Sequence, residues 1–177
     1  MTTNRLGEIL RDGDRYGLRY ERRLRHPPER VWRALTESDA LRHWMPADMV
    51  GERRAGADLV FPFWPAHVER FGIPADQAAL TGRMLAWEPP RLLEYSWDAD
   101  LLRFELTPDG DGTRLVFSTW LGEVDQYPAH GTAAGYHAAL DQLAELLERG
   151  GVALPVIDVR LGDLEERYLA LLADPKS

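Results

Sequence analysis

A chain of 177 residues with a formal net charge of −8 and no cysteine is sized for one domain with its own core, and it has neither disulfides nor thiolate chemistry. Nucleic acids and anionic membrane surfaces recruit clustered Lys and Arg, so the acidic balance argues against both as partners. No stretch approaches the roughly 18–20 apolar residues that span a bilayer, and the opening MTTNRLGEIL lacks the basic-then-apolar pattern of a secretory signal. The chain reads as cytoplasmic, without membrane insertion.

Residues 1–15 are mixed and polar and are expected to form a loose lead-in. From Tyr16 to Leu24 apolar and charged residues alternate, the pattern of a strand with one wet face. His26-Pro27-Pro28 breaks it, and Pro28 suits the first turn of a short helix carrying Val31, Trp32 and Leu35 on one face. Ser38 is expected to cap a second short helix with Leu41 and Trp44, which Pro46 ends. Four runs then read as strands, at 59–64, 79–88, 92–98 and 101–107, each aromatic-rich or alternating and bounded by Pro, Gly or Asp. In the turn PDGDGT, Gly110 and Gly112 are both expected to supply positive φ. RLVFSTWLG adds a last strand, so the tight turns make an antiparallel meander.

From Thr132 to Arg149 the spacing of Tyr136, Leu140, Leu143 and Leu147 predicts one long helix, stopped by Gly150-Gly151. A connector containing Pro155 leads to a second helix over 163–172, with Leu164, Tyr168, Leu171 and Leu172 on its apolar side. The division expected is a lead-in at 1–15, a domain at 16–151 and an appendage at 152–177 packed on it.

The segments PPERVWRALTESDALRHWMP, GRMLAWEPPRLLEYSW and GDGTRLVFST resemble the opening, the paired central strands and the last strand of the START-like (SRPBCC, helix-grip) superfamily. They resemble most the branch related to the activator of the ninety-kilodalton heat-shock protein's ATPase. The resemblance implies an α+β fold in which a curved antiparallel sheet wraps around a long C-terminal helix, with two short helices after the first strand. Two departures stand out: PAHVERFGIPADQA at 65–78 is longer than the usual turn, and Thr119 replaces an inward-pointing histidine of many relatives.

Residues two apart on a strand share a face, so Phe61 with Phe63, and Tyr95 with Trp97, are expected to point together into the space between sheet and helix. With Trp87, Phe104, Phe117 and Thr119 on the strands, and Trp44 and Tyr136 from the helices, they form either a solid aromatic core or the wall of an apolar cavity with a few polar points. The superfamily resemblance favours the cavity. The histidines lack i,i+4 spacing, so no metal is expected, and no cofactor motif or catalytic pattern such as GxSxG is present. His43, beside Trp44, is the one histidine placed to reach a pocket. Glu94, Glu105, Arg83 and Arg103 are assigned to outward faces by alternation. Three functions follow: binding of a small hydrophobic or aromatic molecule, a chaperone-associated interaction module, and an enzyme of the polyketide cyclase or aromatase kind. Homodimerisation through sheet edges or the C-terminal helix stays open.

Overall fold

The computed structural model describes residues 5–122, 129–151 and 161–173; the Pro155 connector lies outside them. Its elements in chain order are β1 Glu8–Asp12, β2 Arg15–Leu24, α1 Pro28–Thr36, α2 Ser38–Trp44, β3 Asp58–Pro62, α3 Pro65–Phe71, β4 Ala79–Glu88, β5 Leu92–Trp97, β6 Asp100–Asp109, β7 Gly112–Trp120, α4 Ala129–Arg149 and α5 Gly162–Ala173.

The strands form one seven-stranded antiparallel sheet in the order β1-β2-β7-β6-β5-β4-β3. From β3 to β7 each strand pairs with the next, as tight turns require, and β2 joins β7 from the far side of the two short helices. The turn between β6 and β7 works through Gly110, at φ 59°. Gly112 departs from expectation: its φ is not positive, and its missing side chain instead lets the backbone of Leu24 approach, with a Cβ there falling 2.3 Å from the Leu24 carbonyl oxygen. A bulge between Met84 and Ala86 interrupts the β4–β5 ladder, and such an extra residue adds local twist and helps a sheet curve.

Alternation fixes the inner face. Leu18, Tyr20, Arg22 and Leu24 on β2 share it with Leu115, Phe117 and Thr119 on β7, Leu102, Phe104 and Leu106 on β6, Leu93 and Tyr95 on β5, and Leu59 and Phe61 on β3; all are buried. The α4 stripe of Leu140, Leu143 and Leu147 is buried with them. Burying each large apolar side chain stabilises the fold by about 1.5–3 kcal/mol. Outward positions carry charge: Arg103 pairs with Glu94 at 2.9 Å and Glu105 at 3.4 Å, and Arg83 with Asp58 at 3.4 Å.

Three local expectations are corrected. Ser38 is the first helical residue of α2 and makes no cap bond; its hydroxyl donates to Asp48 Oδ1 at 2.6 Å. Glu8–Asp12, within the expected lead-in, forms an edge strand because β2 offers it a free ladder. The long 65–78 connection holds a short exposed helix, α3, opened by Pro65 and closed by Gly72 at φ 59°.

Two side chains tie the helices to the body of the fold. Trp44 Nε1 donates to the Ala34 carbonyl at 2.8 Å, joining α2 to α1. Arg53 Nη2 donates to the carbonyls of Thr36 at 3.2 Å and Met49 at 3.1 Å, which satisfies the open C-terminal end of α1.

Candidate functional site

Seven of the ten residues expected to line the cavity come together in one aromatic wall, and an eighth, Thr119, shares its face. Ring centroids run from Trp97 to Phe61 at 4.7 Å, Phe61 to Tyr95 at 5.3 Å, Tyr95 to Phe104 at 6.1 Å and Phe104 to Phe117 at 4.6 Å. From the helical side Trp44 meets Phe104 edge-on at 6.3 Å and Tyr136 meets Phe117 at 5.1 Å. Thr119 follows Phe117 on the same face of β7. Offset and edge-to-face ring pairs of this kind add about 0.5–1.5 kcal/mol each beyond burial, so the wall is also a structural asset.

The remaining two sit elsewhere. Phe63 lies past the end of β3 and stacks on His67 of α3 at 5.3 Å, so it does not follow Phe61 into the wall's ring contacts. Trp87 meets Trp32 of α1 at 5.0 Å and lies under the Arg53 guanidinium at 5.9 Å; the bulge before it shifts its place in the alternation. His43 is half-buried. One member was missed: Tyr20 stacks on Phe117 at 5.9 Å and continues the wall onto β2. Its place in the alternation with Leu18 was the available signal.

The middle of the wall is closed. The gap among Trp44, Met45, Leu102, Phe104, Phe117, Tyr136, Ala139 and Leu140 admits no water. The end nearest Trp97, Thr119 and Tyr136 differs. Burial strongly raises the Tyr136 phenol's proton affinity, the Asp100 carboxylate adds to it, and the nearby Thr119 hydroxyl, close enough for a weak hydrogen bond, opposes it. Yet Tyr136 and Trp97 both keep accessible surface. Thr119 is 1% exposed, and its Oγ1 reaches no partner at hydrogen-bonding geometry although Tyr136 is close. Tyr95 is raised by burial as well, with Arg53 opposing. Both phenols are therefore protonated near neutral pH and act as hydrogen-bond donors or acceptors, not as bases.

A second concavity, of about 570 Å³, lies on the surface between the start of α1, the β4–β5 turn and the end of β6, lined by Pro28, Glu29, Pro90, Arg91, Arg103 and Pro108 among others. Its cations are already paired, Arg91 with Glu88 and Arg103 with Glu94 and Glu105. Among the described residues no group of His, Asp and Glu assembles as a metal site, and no helix is long and apolar enough to cross a membrane.

A curved antiparallel sheet folded around one long helix, with two short helices inserted after the strand that joins β7, is the helix-grip architecture of the START-like superfamily. Within it, residues 25–148 match the Activator of Hsp90 ATPase homolog 1-like protein family, and the chain belongs to that family. No curated protein matches it. Among solved structures it is similar to the conserved protein EF2215 of unknown function from Enterococcus faecalis, at 24% identity and a TM-score of 0.76 over 94% of this chain and 90% of that one. It is also similar to the BPP1335 protein of Bordetella parapertussis, at 26% identity and 0.66 over 96% and 94%, and to CalU16 of Micromonospora echinospora, at 20% and 0.64 over 96% of each.

Proposed function

We propose that the protein binds a small hydrophobic or aromatic molecule at the Trp97–Thr119–Tyr136 end of the space between sheet and α4. The observation that carries this reading is Thr119 Oγ1, a buried hydroxyl on an apolar wall that no partner, the nearby Tyr136 phenol included, meets at full hydrogen-bonding geometry. Native proteins pair nearly all such groups, because an unmet one costs about 1–3 kcal/mol. A ligand bearing one hydrogen-bonding group beside an aromatic ring would satisfy Thr119 and the neighbouring phenol while its ring joins Trp97 and Phe61. The tight middle of the wall confines the ligand to that end. The family's helix-grip architecture, which sets a sheet face against a helix, supports the same placement.

Titration with N-phenyl-1-naphthylamine, an uncharged aromatic probe, tests it by fluorescence. Trp97→Ala and Tyr136→Ala should each weaken binding at least tenfold while thermal unfolding stays cooperative. If both variants keep full affinity, or the wild type never binds probe or competitor, the site is not there.

A chaperone-associated module is the second reading, and it has one specific support besides the family. Val60 on edge strand β3 and Val50, bridged to it, are 42% and 51% exposed, and Leu85 on β4 is 43% exposed. Replacing the two valines with Thr would weaken a protein contact there and leave probe binding unchanged.

A further inference from the structure

Arg22 lies on the inner face of β2 and is 3% exposed, yet its guanidinium is only partly engaged. Nη1 donates to the Glu21 carbonyl at 3.0 Å, and the group lies 5.7 Å from the Tyr20 ring centre. Nε and Nη2 are buried without a partner. Glu21, its neighbour in sequence, points to the opposite face, where Arg114 Nε and Nη2 grip its carboxylate at 2.7 and 3.2 Å. So the protein contains the same guanidinium edge twice. On Arg114 a carboxylate fills it; on Arg22 nothing among the described residues does.

A buried cation without a counter-charge is costly, because the interior gives it little of the solvation that water supplied. The Nε–Nη2 edge is a planar fork that matches the two oxygens of a carboxylate. Tyr168 of α5 lies near enough to feel its charge. Of that helix's residues only Tyr168 is buried, and its hydroxyl is the anchor. The Gly7 amide donates to it at 2.8 Å, and it lies 2.8 Å from His137 Nδ1. His137 Nε2 is in turn 3.4 Å from Asp141 Oδ2, so Asp141 is oriented toward the imidazole. The chain is satisfied when the phenol donates to Nδ1 and Nε2–H faces Asp141. Tyr168 and Tyr20 both feel the charge of Arg22, which sets the guanidinium beside this anchor.

From this arrangement we infer that the free edge of Arg22 is a binding site for a small organic carboxylate, beside α5 and opened when the Tyr168 anchor lets go. The site is separate from the Thr119 end. Thr119 is registered with Leu18, four residues before Arg22 on β2, or roughly 13 Å along the strand at about 3.3 Å per residue. It therefore takes a different chemical group from the neutral ligand proposed above.

Benzoate, with benzamide as its uncharged match, tests this on the full chain. The Arg22 Nε–H resonance, assigned by its loss in Arg22→Gln, should shift with benzoate and not with benzamide, and benzoate alone should raise the wild-type melting temperature. Arg22→Gln should lose the thermal response at least tenfold in benzoate concentration while still binding the neutral naphthyl probe. Tyr168→Phe, with the anchor weakened, should bind benzoate several-fold more tightly. The inference is overturned if benzamide acts as strongly as benzoate, if Arg22→Gln keeps the full response, or if tens of millimolar benzoate leave the Nε–H signal in place. Should Tyr168→Phe unravel α5, the wild type against Arg22→Gln still decides.

Discussion

Replacing Thr119 by Val keeps the shape of a side chain that is 1% exposed and exchanges only the hydroxyl for a methyl. Because Oγ1 meets no partner at full hydrogen-bonding geometry, the substitution removes an unmet polar group from the interior without breaking a well-formed bond. Such a group costs about 1–3 kcal/mol, so recovery of about 1–2 kcal/mol is expected. For a chain of 177 residues that corresponds to a rise of about 2–8 °C in melting temperature, at about 2–4 °C per kcal/mol. The same change should weaken a hydrogen-bonding ligand at this end, so stability and binding move in opposite directions. Urea unfolding at constant m-value and probe titration on the same samples measure both. A Thr119→Val protein destabilised by more than about 1 kcal/mol would refute the reasoning, since that is the signature of a lost native hydrogen bond, with Tyr136 as the evident acceptor or donor.

Other expectations rest on particular contacts. A Cβ on Gly82 would stand 1.9 Å from the Ser96 carbonyl oxygen, so Gly82→Ala should cost on the order of 3 kcal/mol and disturb the β4–β5 end of the sheet in hydrogen exchange. Gly135 lies inside α4, and a Cβ at this position would meet no neighbour within 4 Å, so Gly135→Ala should stabilise by about 0.5–1 kcal/mol in urea unfolding. Half-buried His67 packs between Phe63 at 5.3 Å and Phe71 at 4.8 Å, and burial lowers its pKa from the ordinary value. The unfolded chain then takes up the proton first, so the stability from a neutral His67 is present above about pH 6.5 and is lost as pH falls toward the lowered folded value. His67→Phe should flatten that slope in unfolding measured between pH 7.5 and 5.

Much of this fold was legible because its signals are local. Alternation located β2 and β4 to β7 to within a few residues, the i, i+4, i+7 stripe located α4, and Gly150, at φ 76°, ended it. What escaped depends on distant partners. Glu8–Asp12 has no strand pattern of its own and extends because Arg15–Arg19 offers a ladder. The helix at Pro65–Phe71 did carry its punctuation, a first-turn proline and a closing glycine, but lies among residues that read as an insertion. The wall's membership was legible wherever alternation held, and failed at Phe63, beyond the strand end, and at Trp87, beyond the bulge. Arg22 shows the limit most plainly. Its parity with Leu18 and Tyr20 puts it inside, while its charge made the segment read as a wet face. Only the structure shows that the nearest acid in sequence, Glu21, is held by Arg114 on the opposite side.

The central claim, a small molecule held at the Trp97–Thr119–Tyr136 end, is tested most directly by native mass spectrometry of the protein purified from its own host. The account predicts a reproducible added mass, of one small aromatic or hydrophobic compound, that is retained by the wild type and missing from Tyr136→Ala. A wild-type protein that is always the bare chain, and that takes up no compound from the host's own extract, would contradict it.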